Sequence, residues 1–252
     1  MKPLFGRMGG KSKLKKKIIK MMPNENQYDT YVEPFFGAGS VFFALQHDFQ
    51  NKKEVINDLD PVPIRILKGF KKYNGDKIRD DVNGQYTKQE FEKIKNSNPS
   101  SDYLKFIRDF ILTRTSYYGK GIAYSLGKTS KIKINPQDKY QESLKNVVIL
   151  NEDYKKVINK YDSPRTFIFL DPPYEMSDDS YYDFPKLDIY NLLDFINKKK
   201  FMFLITYNYN PDVKRYADKL GFKTQQVSTK YVDPLQGRAN LRTIKELVIK
   251  NY

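Results

Sequence analysis

The sequence predicts an α/β fold: a parallel sheet with helices on both faces, carrying an inserted, mainly helical segment. Three observations predict it. Residues 28–60 run as strand, glycine turn, helix, strand and acid, the order of a βαβ unit. Strand and helix patterns alternate again from about residue 145. Between them, residues 62–142 change texture to helical stretches, polar loops and a segment rich in Tyr, Gly and Lys. A length of 252 residues suits one large domain, or one domain with a substantial insertion.

Taken in order, residues 12–22 form a basic helix pattern with Leu14, Ile18, Met21 and Met22 as its apolar stripe and Ser12 as its N-cap. Pro23 ends it. Residues 28–32 read as a short strand running into Glu33-Pro34-Phe35-Phe36-Gly37-Ala38-Gly39-Ser40, and a helix follows from 41 to about 49. The second strand, 54–57, ends at Asp58-Leu59-Asp60. Within the insert, helices are expected near 64–73 and 101–113 with polar loops between them. After Arg114, glycines and alternation suggest a β-hairpin. Strands at 147–150, 167–170, 201–206 and 241–251 then alternate with helices at 153–161, 187–198 and 211–220, with Gly221 as the C′ residue of the last helix. No internal repeat is present.

Lys and Arg number 45 against 30 Asp and Glu, a formal charge of +15. An excess of this size favours a polyanionic partner. Aromatics make up 15% of the chain; most belong to the core, but Tyr among basic residues suits base stacking. With no cysteine, disulfides, thiolate zinc sites and cysteine nucleophiles are excluded. The one histidine, His47, lies in a helical pattern and reads as a surface or helix-end residue. No apolar run reaches membrane-spanning length and no secretory signal pattern is present. The expectation is a cytoplasmic protein of a bacterial cell or a virus-infected host, monomeric or weakly dimeric.

Three constellations carry chemistry. The apolar run 167–170 ends in Asp171-Pro172-Pro173-Tyr174. Prolines cannot continue a helix and have no N–H to donate, so carbonyls face outward beside a carboxylate and a ring. Such a rim accepts hydrogen bonds and offers a flat face, which suits the exocyclic amine of a planar base. In the second, Gly37 and Gly39 sit at a strand-to-helix turn where a ligand can approach the backbone. The pattern is not G-x-G-x-x-G, so a dinucleotide is not favoured. Asp58, at the end of the next strand, is placed to accept from ribose hydroxyls. In the third, Gly9-Gly10-Lys11 precedes a helix and can admit an anion. It is not a P-loop, because Phe5 stands where the earlier glycine is required.

Taken in chain order, the three resemble the Dam-type family of S-adenosylmethionine-dependent DNA adenine N6-methyltransferases. That family carries G-G-K, then E-P-F-x-G-x-G, an acid after the second strand, a target-recognition insertion and D-P-P-Y. The resemblance spans essentially the whole chain. It implies a Rossmann-like catalytic domain from residues 1–61 and 143–252, and a DNA target-recognition domain from residues 62–142. It implies catalysis by Asp171, Pro172, Pro173 and Tyr174 on an adenine flipped out of double-stranded DNA. S-adenosylmethionine would be bound by Arg7, Gly10, Lys11, Glu33, Pro34, Phe35, Phe36, Gly37, Gly39, Ser40, Asp58, Asp153 and Asp171, leaving S-adenosylhomocysteine as product. No metal is required. Many members carry an aromatic just before G-G-K; here Arg7 and Met8 fill those places. DNA contacts are expected from Arg114, Tyr117, Lys120, Lys128, Lys131 and Lys133. Because the amine chemistry is similar, methylation of cytosine N4 or of an RNA adenine is an alternative. A DNA-binding relative without catalysis is another.

Overall fold

The structure, a computed structural model, describes residues 1–7, 10–45, 52–125, 131–134, 138–174, 187–232 and 241–252. Its strands are β1 (Thr30–Glu33), β2 (Lys53–Asn57), β3 (Gly84–Gln85), β4 (Lys131–Ile132), β5 (Val148–Leu150), β6 (Thr166–Leu170), β7 (Met202–Asn208), β8 (Lys223–Val232) and β9 (Leu241–Lys250). Among the described residues the main sheet has seven strands in the order β5-β2-β1-β6-β7-β9-β8. The pairs β2–β5, β1–β6 and β6–β7 are parallel, whereas β9 runs antiparallel to both β7 and β8. This is the Rossmann-like α/β architecture expected from the sequence. All five residues of β6 are buried, as a strand covered on both faces requires.

The chain forms two compact units, Met1–Lys11 with Phe36–Phe49 and Lys53–Asp153, and Ser12–Phe35 with Gln50–Lys52 and Tyr154–Tyr252. In the first, helices α2 (Phe42–Leu45), α3 (Pro61–Lys72), α4 (Gly75–Val82), α5 (Lys88–Lys95), α6 (Asp102–Thr115) and α7 (Asp138–Leu144) accompany β2 to β5. An aromatic cluster forms its core. The Phe70 ring lies 5.4 Å from Phe106, 5.0 Å from Phe110 and 6.1 Å from Tyr140, mostly edge to face. In the second, α1 (Lys15–Ile19), α8 (Tyr154–Lys160), α9 (Ile189–Asn197) and α10 (Pro211–Lys219) accompany β1 and β6 to β9. Helix α9 buries Ile189, Leu192, Leu193 and Ile196, the spacing of one apolar helix face.

Several local expectations are corrected. Ser12 does not cap a helix: residues 12–14 form a turn, and α1 has Leu14 as its N-cap with no side-chain bond. Lys13–Lys17 and Lys16–Lys20 are like-charged pairs at i,i+4, and no acid stands in the first turn to offset them. The loops expected after residue 73 contain α4, capped by Asn74, and α5, which has a Thr87–Glu90 capping box. Among the described residues the expected hairpin is represented by one antiparallel bridge, Ser116 to Tyr124. Helix α6 extends through Arg114 to Thr115, whose hydroxyl donates to the Ile111 carbonyl at 2.7 Å. Gly119 and Gly121 then take φ of 69° and 71°, which makes a tight turn in place of strand. Lys131–Ile132 pairs with Gly84–Gln85 instead. The expected helix beyond Leu45, with His47, lies outside the described residues.

Phe70→Ala should destabilise the protein by about 3–5 kcal/mol, because a large ring is lost from a site packed on three sides. Urea unfolding would read it, and a loss under 1 kcal/mol, roughly that of a tolerated volume-conserving swap, would show that the cluster does not hold this unit.

Candidate active site

In the first unit the glycine turn is held by an acid. The Gly37 N–H donates to Asp58 Oδ2 at 2.7 Å, and the Asp60 N–H donates to Asp58 Oδ1 at 3.0 Å. Asp60 in turn caps α3, accepting from the Val62 N–H at 2.9 Å, with Pro61 at the first helical position. It also pairs with Arg7. Desolvation pushes the Asp58 carboxyl above its usual range, while Arg7 and the two N–H groups pull it back. The Asn151 side-chain amide donates to the Asp58 carbonyl at 2.7 Å, which ties the ends of β2 and β5 together. Asp153, just beyond, is exposed. The Gly10 N–H donates to the Arg7 carbonyl at 3.3 Å, and a Cβ on Gly10 would stand 3.5 Å from Ser40 Oγ. Lys11 and Ser40 are buried; Gly9 lies outside the described residues.

The second unit holds the other turn. Asp171 follows the last residue of β6, and its Oδ1 accepts from the Thr206 hydroxyl at 2.9 Å. The Tyr174 hydroxyl lies 3.5 Å from the same oxygen, the limit of hydrogen-bond reach. Pro172 is buried, Pro173 exposed and Tyr174 half-buried. The Tyr174 ring meets Tyr207 edge on, with centroids 5.0 Å apart. Burial first, then the Asp171 and Glu246 carboxylates, push the Tyr174 hydroxyl well above its ordinary pKa. Glu33 is buried on β1 and accepts from the Tyr31 hydroxyl at 2.5 Å. Pro34 is buried, and the Phe35 ring packs 5.1 Å from Tyr154.

The residues expected at DNA separate into two kinds. Tyr117 is 53% exposed, and Lys131 and Lys133 are exposed on either side of the buried Ile132. Lys120 is half-buried, as is Arg114, whose guanidinium donates to the Leu4 carbonyl at 3.1 Å. Lys128 lies outside the described residues. Sequence reasoning missed Thr206 and Tyr207. The available signal was a polar residue closing an apolar strand, the same pattern that marked Asp58 and Asp171.

A parallel sheet whose strands end in acids, with a glycine turn fixed to one of them, defines a Rossmann-like methyltransferase. A family model for D12 class N6 adenine-specific DNA methyltransferases matches residues 8–231, and the chain belongs to that family. It is therefore an adenine DNA methyltransferase. The Type II methyltransferase M.MjaIII of Methanocaldococcus jannaschii is 26% identical over 294 residues, covering 100% of this chain and 99% of that protein. The Type II methyltransferase M.CviBI of Paramecium bursaria Chlorella virus NC1A is 24% identical over 267 residues, covering both chains fully. A precorrin-6y C5,15-methyltransferase from Geobacter metallireducens aligns with a TM-score of 0.45 at 9% identity, covering 99% of this chain and 98% of that one.

The family implies S-adenosylmethionine as methyl donor, and the first unit's turn fits such a group. Among the described residues nothing lies within 4 Å of where a Cβ on Gly37 would stand, so the backbone there leaves room for a ligand. Each Asp58 oxygen keeps a second lone pair beyond the N–H it accepts.

Gly37 and Gly39 both take left-handed φ, 54° and 68°, but a Cβ on Gly39 would also meet the Phe36 ring at 2.2 Å. Gly37→Ala should cost about 1–2 kcal/mol from strain alone, and Gly39→Ala more. Thermal unfolding ranks them; equal losses would mean that the Phe36 ring yields freely.

Proposed function

We propose that the chain is a Dam-type enzyme that moves a methyl group to N6 of an adenine flipped out of double-stranded DNA. When bound, S-adenosylmethionine supplies an electrophilic methyl on a sulfonium. Gly10, Phe36, Gly37, Gly39 and Ser40 would bed the donor, Asp58 would accept from its ribose, and Lys11, Glu33, Pro34, Phe35, Asp153 and Arg7 would complete its binding. At Arg7 the pairing with Asp60 supports a role in shaping the cradle beside Asp58.

The observation that carries the reading is Asp171, a carboxylate at the end of β6 held by the Thr206 hydroxyl. The amine lone pair of adenine is delocalised into its ring and is a poor nucleophile. Asp171 and the Pro172 carbonyl would accept the two amine N–H groups, favouring a pyramidal nitrogen with its lone pair available. Charge-assisted bonds of this kind contribute roughly 1.5–3 kcal/mol. Tyr174 would stack on the flipped base and offset part of the stacking lost from the duplex. Asp171 would also take part in holding the donor. The insert would meet DNA through Tyr117, Lys120, Lys131 and Lys133, with Lys128 and Arg114 as further candidates. Its likeness to two Type II methyltransferases supports a role in restriction–modification. A monomer or weak dimer suffices for this chemistry.

Transfer of labelled methyl to unmethylated DNA, followed by nucleoside analysis, should yield N6-methyladenine. Asp171→Ala should abolish that transfer while S-adenosylhomocysteine still binds in calorimetry; near-normal methylation would sink the mechanism. Tyr174→Ala should reduce the fluorescence rise of 2-aminopurine placed at the target position. For the charge argument, affinity for DNA should fall steeply with salt, with a slope near −0.9 per phosphate contact. A flat response would remove the basic residues from the interface.

A further inference from the structure

Thr206 is fully buried inside β7, and its hydroxyl meets Asp171. The register makes the contact local: Leu170 pairs with Ile205 in parallel, so Asp171, the first residue past β6, comes level with Thr206 on the neighbouring strand. A threonine hydroxyl carries one proton. Here it goes to Asp171 Oδ1 at 2.9 Å, a shorter approach than that of the Tyr174 hydroxyl, at 3.5 Å from the same oxygen. Two features make this donor a fixed one. A β-branched side chain on a strand is restricted at χ1, so the hydroxyl has little freedom to swing away. A buried donor left without an acceptor would also be costly, which opposes any rotation of the carboxylate that breaks the bond. The following segment, Pro172 and Pro173, cannot contribute an N–H to hold the acid from the other side.

We propose that Thr206 is the positioning residue for Asp171. It sets the plane of the carboxylate and so decides whether the amine of the substrate base meets it in line. The inference rests on the reading that Asp171 receives that amine. Thr206 itself touches no reacting atom. Its effect belongs to the transfer step, because an acceptor that swings by a fraction of its bond length presents the wrong lone pair to the amine. Binding of donor and DNA, which would rest mainly on the glycine turn and the basic surface, should depend on it little.

Single-turnover methylation on a DNA duplex tests it with Thr206→Val, which keeps the shape and removes the hydroxyl, and Thr206→Ser, which keeps the hydroxyl. Thr206→Val should lower kcat on the order of 100-fold, the size expected for a misplaced catalytic group. KM for S-adenosylmethionine and for DNA should hold near wild type. Thr206→Ser should restore most of the rate, a rescue that a purely packing role would not produce, since valine fills the site better than serine. If Thr206→Val does not fold, Thr206→Ala carries the same comparison with serine. Wild-type kcat in Thr206→Val, alongside an inactive Asp171→Ala, overturns the positioning role and leaves the base-holding reading intact. An active Asp171→Ala overturns that reading whatever Thr206 does. A Thr206→Val protein that loses kcat and KM together, with no rescue by serine, would assign the residue to packing alone.

Discussion

The first unit depends on one carboxylate that accepts from two backbone N–H groups. Asp58 takes the Gly37 N–H on one oxygen and the Asp60 N–H on the other. The first bond fixes a glycine turn whose φ angles give it no helix or strand ladder of its own. The second sets the chain so that Asp60 can cap α3 and reach Arg7. One acid therefore sets the turn that admits a ligand, the start of a helix and the anchoring of the N-terminal segment. Its partial burial raises its pKa, and Arg7 with two charge-assisted N–H bonds offsets that cost. The residue is a structural brace with acceptor capacity to spare, because a carboxylate has more lone pairs than this brace uses.

The second unit solves a similar problem with a different partner. Asp171 also closes a strand, but the residues after it are prolines, which have no N–H to give. The partner comes instead from the neighbouring strand, as the Thr206 hydroxyl. Parallel pairing makes this arrangement available, since it brings the residue that follows β6 level with Thr206 inside the longer β7. Tyr174 then packs its ring on Tyr207, so one residue pair on β7, Thr206 and Tyr207, supports both the acid and the ring of the tetrapeptide.

What was legible in the sequence follows from how each element is stabilised. Strand β6 is buried throughout and apolar from Phe167 to Leu170 because both faces are covered, and a run of that kind is visible without alignment. Turn residues and strand-ending acids were visible for the same reason: few other residue types serve there. Strand β8 was not. It reads Lys-Thr-Gln-Gln-Val-Ser-Thr at its start, and its stability comes from ten backbone pairings with β9, which leave no mark on side-chain polarity. Helices α4 and α5 were hidden likewise, since Ile78, Val82 and Phe91 are their only buried large apolar residues and caps supply much of the rest. Ser12 shows the converse, a good cap residue overruled by like charges along the turn that follows it.

Arg114 shows why charge in a sequence is a weaker guide than a carboxylate at a strand end. A basic residue in an insert reads as a phosphate ligand, because net charge draws DNA and nothing local contradicts it. Yet α6 runs on through Arg114, and its guanidinium finds the Leu4 carbonyl of the N-terminal segment. Burial lowers its pKa, the mark of a cation that has given up water. A desolvated cation needs its hydrogen bonds kept, so pulling it out to a phosphate would cost the bond that holds that segment. Tyr117, Lys131 and Lys133 carry no such obligation by position: each presents to solvent from a turn or a two-residue strand. Burial thus gives Arg114 a bracing role for the N-terminal segment that also carries Arg7, beside the DNA contact proposed for it.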